Sequence, residues 1–493
     1  MNEIVGNRYV LPGLRLGEHS RYKNKKSSLR ISRERHAMRY RIEKDSMGPV
    51  KVPGNAYYGA ATQRAVINFP ISGLTLQPHI IHALALIKSC AAIVNRELGL
   101  LTPGFSDAII TAAGEIRAGQ WNDQFPVDVF QTGSGTSTNM NVNEVIAFRA
   151  NELLTGKKES KTPVHPNDHV NLGQSSNDVI PSALHIAALV KIKGSLLPAI
   201  EDLFRTLDEK AAAFADIPKI GRTHLQDAVP LYLGQEFKGY SRQIQMGGHR
   251  IETAGESLAE LALGGTAVGN GLNTHPEFAG RVIARISRET RIDFKEARDH
   301  FEAQGARDAI VEMSGALKTL AVGLVKIAND IRWLASGPRC GIGEIQIPEL
   351  QPGSSIMPGK INPVIPEAIL QVAAQVMGND TTIMMGGQAG TFELNVMIPV
   401  MGYNLQQSID LLASAAGVFS GSCIAGITAD EKRCREYIDK SLALATFLVP
   451  RIGYDRAADL ARRAYESGET IPVLVRRENI LPEEEIEALF TWQ

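Results

Sequence analysis

The chain has 493 residues, of which 44% are apolar and 21% are charged, as in an ordinary globular protein. Its 52 Lys and Arg residues nearly balance 53 Asp and Glu residues, which argues against a nucleic-acid-binding protein. No uninterrupted run of 18 apolar residues occurs, so no membrane span is predicted. The four cysteines form no CxxC pair, which favours a reducing compartment, and we expect the cytoplasm.

The charge is distributed unevenly along the chain. Residues 1–41 hold 11 Lys or Arg and 3 Asp or Glu, whereas the remainder holds 41 and 50. Residues 1–40 have few apolar side chains to bury, so we expect a disordered basic extension. Three interpretations stay open: a dispensable extension or a start upstream of Met38, an arm that packs on a neighbouring subunit, and a targeting peptide.

Beyond residue 41, long apolar segments with polar residues at helical spacing predict a mostly α-helical protein. Strand-like runs are short and few. Thr and Asn capping candidates open the second predicted helix, and Pro198 is expected to kink the third. In chain order, the main predicted helices cover residues 82–98, 139–154, 182–214, 231–263, 308–334, 366–377 and 401–419.

The predicted helices are apolar on more than one face, which a single chain of this length would have difficulty burying. We therefore expect a bundle of long helices shared between subunits. Gly and polar clusters near residues 172 and 428 interrupt the helical pattern. The expected organisation is an extension at 1–40, an N-terminal domain at 41–172, a central long-helix domain at 173–428 and a small C-terminal helical domain at 429–493.

Four polar loops rich in small residues separate these apolar segments. They cover residues 131–144, 165–178, 221–227 and 352–363. Each is expected to lead towards a helix, and a helix N-terminus presents unpaired N–H groups that bind carboxylates or phosphates. Four such loops together predict a site for a small molecule with several negative charges. The alternative is that they serve only as caps and turns.

Other catalytic and binding templates are absent from the sequence. No P-loop, no GxSxG nucleophile elbow and no HExxH motif occurs. The Gly-rich segment at 264–271 follows a long predicted helix rather than a strand, so a dinucleotide loop is rejected. His165 and His169 are four residues apart, but Pro166 lies between them, so a zinc pair on a helix is not expected.

Single polar residues allow two interpretations each. Ser354, Lys360 and Asn362 lie in one short loop ahead of a helix, where a hydroxyl and a lysine could remove a proton and hold the resulting anion. Taken singly, they are ordinary turn and surface residues. His224 fits either a core histidine or a catalytic one. Glu367 could complement a helix N-terminus or orient an imidazole.

The segment GSSIMPGKINP at residues 353–363 resembles the signature of the fumarase/aspartase superfamily. The other three loops resemble the remaining signature segments in the same order, from about residue 41 to about 470. Within the superfamily, QSSND at 174–178, FEAQGARD at 301–308 and TQRAVINFPIS at 62–72 resemble class II fumarate hydratases. Aspartases typically have Thr at the position of Ser176, but PELQP at 348–352 and PVIPE at 363–367 look equally like aspartase.

The resemblance implies a lyase of the citric acid cycle that reversibly hydrates fumarate to (S)-malate. Ser354 would be the catalytic base, and Lys360 and Asn362 would bind the carboxylate that takes up negative charge. His224, oriented by Glu367, would hold and activate the water. The remaining substrate-binding residues implied by the resemblance are Ser134, Thr136, Ser175, Ser176, Asn177, Thr223 and Ser355.

A second, non-catalytic dicarboxylate site is implied at His165, Asn167 and Asp168. Some family members have an arginine three residues before that histidine, whereas this chain has Thr162, and Lys161 is a candidate replacement.

The resemblance also implies a fumarase/aspartase-like three-domain fold with a central long-helix bundle, assembled into a tetrameric helical core. Each active site of this homotetramer would be shared between three subunits. No metal or organic cofactor, no nucleic acid and no membrane partner is implied. Aspartate ammonia-lyase stays open as the alternative function. A catalytically silent structural protein is a more remote one, against which the presence of Ser354, Lys360, Asn362 and His224 argues.

Overall fold

The computed structural model describes residues 40–491. Residues 1–39 of the predicted basic extension lie outside the described residues, and its last residue, Tyr40, begins a strand. Long helices dominate this part of the chain, and the strands form five two-stranded sheets within it. The predicted mostly α-helical class is confirmed. In chain order, the helices are α1 Ala60–Asn68, α2 Pro78–Glu97, α3 Pro103–Arg117, α4 Thr136–Thr155, α5 Ser176–Lys191, α6 Leu197–Ala213, α7 Leu233–Leu258, α8 Phe278–Thr290, α9 His300–Gly305, α10 Asp308–Leu334, α11 Val364–Gly387, α12 Ile398–Ser422, α13 Glu431–Lys440, α14 Val449–Ile452, α15 Tyr454–Ser467, α16 Ile471–Arg477 and α17 Glu483–Phe490.

The strands are short hairpins and bridges at the ends of helices. The strands β5 and β6 are parallel, and the other pairs, β1–β2, β3–β4, β7–β10 and β8–β9, are antiparallel. Their bounds are β1 Tyr40–Asp45, β2 Gly48–Pro53, β3 Pro218–Thr223, β4 Gln226–Tyr232, β5 Glu260–Leu261, β6 Lys295–Glu296, β7 Ile345–Gln346, β8 Gly390–Thr391, β9 Leu394–Asn395 and β10 Thr428–Ala429.

The apolar core of the described residues falls into two clusters. The larger cluster extends from Leu76 to Ile427 and includes residues of α2 to α8 and of α10 to α12. The smaller one joins the C-terminal helices, from Ile438 to Ile486. The helices before residue 172 therefore share their core with the long central helices. The proposed domain boundaries near 172 and 428 stay predictions.

The third predicted helix consists of two helices in the structure. The first, α5, begins at Ser176 and contains Pro181, whereas the prediction placed its start after that proline. A capping box formed by Ser175 and Asp178 starts the helix earlier and explains the difference. A π-helical segment at Ile192–Leu196 separates α5 from α6 immediately before Pro198, where the kink was expected.

Other helix limits also differ from the predictions for physical reasons. The helix α4 begins at Thr136 behind Gly135, without a side-chain cap, so the predicted Thr and Asn caps were wrong. The helix α7 is shorter than predicted at both ends, because residues up to Tyr232 pair with β3 and Glu260–Leu261 pair with β6. The helix α11 continues beyond Gly378, because Asn379 donates to Ser408 Oγ and packing overrides local propensity.

Three segments are long and apolar enough, by length and composition alone, to cross a membrane: Pro78–Glu97, Ser176–Ala213 and Ile398–Gly426. None of the three contains an uninterrupted run of 18 apolar residues, because polar residues interrupt each of them. In Pro78–Glu97, for example, Lys88 interrupts the run. The most apolar windows of these segments are 78%, 56% and 44% buried inside the chain. They form part of the helical core, and the absence of a membrane partner stays a prediction.

Candidate active site

The first polar loop leads into α4. Gly135 precedes this helix with a φ of 76°, a left-handed conformation that favours glycine. Ser134 is buried, and its Oγ lies 2.8 Å from Thr136 Oγ1. Both hydroxyls therefore lie at the N-terminus of α4, where unpaired backbone N–H groups favour an anion.

The second polar loop ends at α5, whose first turn is held by polar contacts. Ser175 Oγ accepts a hydrogen bond from Asn177 N at 3.2 Å, and Asp178 Oδ1 accepts one from Ser175 N at 2.9 Å. The other oxygen of Asp178 accepts from the N–H groups of Gly264 and Thr266 at 3.1 Å each. Burial raises the pKa of Asp178 to about 6, although these donors act in the opposite direction. The carboxylate thus fastens the start of α5 to the Gly-rich loop beside it.

Asparagine side chains join the first two polar loops. Asn139 Nδ2 donates to Ser176 Oγ at 3.0 Å and to Asn171 Oδ1 at 3.2 Å. The same Asn171 oxygen accepts from Lys88 Nζ at 2.8 Å and from Asn143 Nδ2 at 3.2 Å. The helix starts of α4 and α5 therefore belong to one hydrogen-bonded unit.

The third polar loop is the tip of a β-hairpin. The strands β3 and β4 pair up to Thr223 and Gln226, and His224 and Leu225 between them have φ values of 57° and 61°. Two consecutive positive φ values define a two-residue type I′ turn, which is strained without glycine and is often found at functional sites. Thr223 and His224 are both exposed. This loop leads towards α7 through the intervening strand β4.

A buried ion cluster anchors this hairpin. Arg222 Nη1 and Nη2 lie 2.9 Å and 3.0 Å from the two carboxylate oxygens of Glu344. Lys219 Nζ lies 3.3 Å from Glu344 Oε2 and 2.9 Å from Glu236 Oε1. Glu344 and Lys219 are fully buried. Since Glu344 directly precedes β7, the cluster ties the hairpin to the segment that leads into the fourth polar loop.

The fourth polar loop closes on itself before α11. Gly353 N donates to Lys360 O at 2.8 Å, and Asn362 Nδ2 donates to Gly353 O at 2.8 Å. A Cβ at Gly353 would lie 2.4 Å from Lys360 O, so this approach requires glycine. Lys360 Nζ donates to Asn362 Oδ1 at 2.6 Å. An ammonium group and an amide are thereby held side by side at the exposed end of the loop.

Ser354 lies inside this loop with its hydroxyl oxygen facing backbone donors. Its Oγ accepts from Ile356 N at 3.2 Å and from Met357 N at 3.0 Å. Ser354 itself is half-buried, whereas Ser355 and Ile356 are exposed. Two N–H donors on one oxygen stabilise negative charge there, which is the property that a serine base needs. The same contacts also occur in ordinary serine turns, so the chemistry depends on what faces the loop.

One chain presents the predicted site residues in three groups. Hydrogen bonds join the first two loops to each other, but none within residues 40–491 joins them to His224, Ser354 or Lys360. The side chains of His224 and Glu367 make no hydrogen bond in this part of the chain, and Glu367 lies in the first turn of α11. The pairing of His224 with Glu367 is therefore not formed within the described chain.

The predicted second dicarboxylate site is a local helix start. His165 Nδ1 accepts from Asn167 N at 3.3 Å and from Asp168 N at 3.2 Å, and it caps the π-helical segment Pro166–Val170. Asn167 and Asp168 are exposed. Lys161 Nζ donates to Lys44 O at 2.7 Å, which engages it with β1. Capping thus accounts for the histidine, and binding of a dicarboxylate here stays a prediction.

Comparison with known proteins identifies the family. Residues 48–378 match the family model described as Lyase, and residues 444–493 match that described as Fumarase C C-terminus. Fumarate hydratase class II of Nitrosomonas europaea is 58% identical over 426 residues, which cover 86% of this chain and 92% of that protein. The chain belongs to the class II fumarate hydratase family. The resemblance seen in its sequence is confirmed.

Further class II fumarate hydratases agree in sequence and structure. The Thermosynechococcus vestitus protein is 53% identical and covers 87% of this chain and 92% of its own length. The crystal structure of class II fumarase from Schistosoma mansoni has a TM-score of 0.90 at 39% identity, covering 92% of this chain and 98% of its own. The fumarase/aspartase-like fold predicted for this chain is confirmed.

Sequence reasoning missed the residues that contact the polar loops from the interior of the chain, namely Lys88, Arg222 and Glu344. Lys88 is the only charged residue between His82 and Asn95, and a lysine within so apolar a helix indicates burial with a specific partner. Arg222 and Glu344 carry no comparable local signal. They lie 122 positions apart, and only the folded chain pairs them.

Proposed function

We propose that this chain catalyses the reversible hydration of fumarate to (S)-malate. Family membership supports the proposal, because relatives that are 50–58% identical over most of the chain are named class II fumarate hydratases. The observation that carries it is the placement of Ser354, whose oxygen faces two backbone N–H groups beside Lys360 and Asn362. A hydroxyl in this position is prepared to act as an alkoxide base.

The difficult step in the malate direction is removal of a proton from the carbon beside a carboxylate. Ser354 would take this proton, and the N–H groups of Ile356 and Met357 would stabilise its alkoxide form. Lys360 and Asn362 would bind the carboxylate of the resulting carbanion, which takes up the negative charge. Preorganised donors of this kind each contribute about 3 kcal/mol to barrier lowering in comparable sites.

The other substrate carboxylate would bind at the joined starts of α4 and α5. This unit offers neutral hydroxyls and amides together with two helix N-termini, and such groups favour an anion without a paired charge. His224 from the hairpin tip, oriented by Glu367, would hold the water and transfer its proton. The groups assigned to the carboxylates are Ser134, Thr136, Ser175, Ser176, Asn177, Thr223 and Ser355.

We further propose a homotetramer in which three subunits complete each site. On one chain the site residues form three groups that no hydrogen bond within residues 40–491 joins. This grouping supports the assembly, because each group could come from a different subunit. Exposed apolar side chains on the long helices also support it. These include Val322 and Trp333 on α10, Met384 and Met385 on α11, and Val418 on α12. A helical core between subunits would bury them.

The absorbance of the fumarate double bond tests the reaction directly. Purified protein is given malate and aspartate in parallel, and we expect absorbance to grow with malate alone. Growth with aspartate, accompanied by ammonia release, would establish aspartate ammonia-lyase instead. No reaction with either substrate, in a folded protein, would favour the structural role.

Mixing of inactive variants tests the shared site. Ser354→Ala and His224→Asn subunits are each expected to be nearly inactive as homotetramers. If different chains contribute these residues, unfolding and refolding the two variants together restores a fraction of the activity, because some mixed sites contain both native residues. Refolding each variant alone is the control. Mixed tetramers without any recovered activity would contradict sharing, and a monomer by light scattering would contradict the tetramer.

We propose the cytoplasm as the location. Support comes from the four cysteines, which are all free, with Cys90, Cys423 and Cys434 buried and Cys340 exposed. Free thiols persist in reducing compartments. Fractionation of source cells with an antibody against the chain tests this assignment, and recovery in an oxidising compartment would overturn it.

A further inference from the structure

The side chain of Lys88 is fully buried in the middle of α2. Its Nζ donates to Asn171 Oδ1 at 2.8 Å, and no carboxylate within residues 40–491 forms an ion pair with it. Burial lowers the pKa of Lys88 to about 7, with the charge of Asp178 acting in the opposite direction. Asp178 itself is occupied by backbone N–H groups. A buried lysine without an ion pair is destabilising, so its presence calls for a functional explanation.

The lysine favours one orientation of the neighbouring amides. The charged form of Lys88 can only donate, and Asn171 Oδ1 is the group that accepts from it. The NH₂ group of Asn171 donates to Gln174 O at 3.1 Å. Asn139 then has to donate from Nδ2 to Asn171 Oδ1, and this Nδ2 also donates to Ser176 Oγ. Lys88 and Gln174 O both favour this orientation of Asn171, and the directions of the hydrogen bonds to Asn139 and Ser176 follow from it.

The chain of contacts ends on a hydroxyl that keeps its hydrogen free. Ser176 Oγ accepts from Asn139, and its own hydrogen has no acceptor within the described residues. Ser176 is the first residue of α5, so its hydroxyl lies where a helix N-terminus favours an anion. If the side-chain amide of Asn139 were rotated so that Oδ1 and Nδ2 exchanged places, Oδ1 would accept a hydrogen bond from the Ser176 hydroxyl. That hydrogen would then be lost to a bound carboxylate.

We propose that Lys88 is a positioning residue that acts through Asn171 and Asn139 to keep the Ser176 hydroxyl as a hydrogen-bond donor towards the substrate carboxylate. This inference rests on the proposed function, in which Ser176 binds that carboxylate. The reversed arrangement would place the NH₂ group of Asn171 against the lysine, donor facing donor. Lys88 thereby disfavours the reversed arrangement, as does Gln174 O, which would then face Asn171 Oδ1.

Replacement of the lysine tests the proposal. Lys88→Met keeps the length and apolar character of the side chain but removes the donor that opposes the reversed orientation of Asn171. We expect KM for malate to rise about tenfold, the loss of one hydrogen bond to a charged group, while kcat changes less. If the variant does not fold, Asn139→Leu interrupts the chain one contact nearer Ser176, and the same rise is expected. A KM within about twofold of wild type for either folded variant would overturn the proposal.

A double-mutant cycle separates this role from general loosening of the core. Ser176→Ala alone should raise KM about tenfold, and adding Lys88→Met should produce little further change, because both act on one hydrogen bond. Multiplicative effects, near a hundredfold together, would show that the lysine acts elsewhere.

The matched control is Asn95→Ala. Asn95 is equally buried on the same helix, and its Nδ2 donates to Leu172 O at 3.1 Å in the same polar loop. It makes no hydrogen bond to Ser176 within residues 40–491. The Asn95→Ala variant should have a lower free energy of unfolding than wild type and an unchanged KM for malate. An equal rise in KM for Asn95→Ala would refute a specific role of Lys88. Wild-type protein inactive on malate would refute the proposed function itself, which is a separate outcome.

Discussion

Arg222 and Glu344 form a two-point ion pair in the interior of the chain, with N–O distances of 2.9 Å and 3.0 Å. The carboxylate also lies 3.3 Å from Lys219 Nζ, and neither Glu344 nor Lys219 is accessible to solvent. The pair lies two residues from His224 on one side and directly before β7 on the other. One buried contact thus positions both the hairpin tip and the segment that leads to Ser354.

Glu344→Gln should destabilise the protein and reduce its activity. Removal of the carboxylate leaves Arg222 without its ion-pair partner and leaves Lys219 with Glu236 alone. The expected loss is about 3 kcal/mol of unfolding free energy. Urea denaturation and fumarate production measure the two effects. The control is Arg462→Gln, which removes exposed ion pairs to Asp459 and Glu466 and should leave the urea midpoint unchanged. Equal behaviour of the two variants would contradict the anchoring role.

Ser354→Ala should lower kcat at least about a hundredfold without loss of fold, since a general base contributes 10² to 10⁴ in rate. Helical circular dichroism and the melting temperature should stay at wild-type values, because the side chain bonds only within its own loop. Ser336→Ala is the control, since Ser336 Oγ accepts from Ile342 N at 3.1 Å in another turn. Near-normal turnover by Ser354→Ala would refute the base assignment.

A chain beginning at Met38 should fold and keep its activity. Tyr40 pairs with Pro53 at the start of β1, and Arg41 donates to Pro53 O at 2.9 Å, to Ala56 O at 2.8 Å and to Tyr58 O at 2.5 Å. These contacts survive the truncation. A chain beginning at Gly48 removes them together with β1, and it should melt at a lower temperature. An insoluble or inactive Met38 chain would show that residues 1–37 are required.

Stability should depend on pH through His185. Burial, with the charge of Arg307 in addition, lowers the pKa of His185 to about 4, and its Nδ1 lies 2.9 Å from Glu260 O. The unfolded chain binds a proton near pH 6.5. The contribution of the neutral ring is therefore complete above pH 6.5 and is lost as the pH falls towards 4.

His185→Gln removes this titration, so the difference in melting temperature between wild type and variant should shrink from pH 7 to pH 4.5. Calorimetry at several pH values measures it. His249→Gln, at an exposed position on α7, serves as the control and should follow wild type in parallel. A constant difference between wild type and His185→Gln would contradict the effect of burial.

The sequence by itself determined the helical class and the polar composition of the four loops. These signals are local: apolar residues repeat at helical spacing, and GSSIMPGKINP is contiguous, so neither depends on distant parts of the chain. The same periodicity predicted a helix at residues 308–334, and these are the limits of α10 in the structure. The family was also evident from short contiguous segments.

Only the tertiary structure decided what supports those loops. Lys88 meets Asn171 across 83 positions, and Asn139 meets Ser176 across 37, and no periodicity specifies such pairs. The third loop became a hairpin tip, because pairing of residues 218–223 with 226–232 depends on two segments meeting. The helix α11 runs on through Gly378, because side chains on α10 and α12 hold it. Local propensity is worth less than about 1 kcal/mol per residue, and packing between distant segments exceeds it.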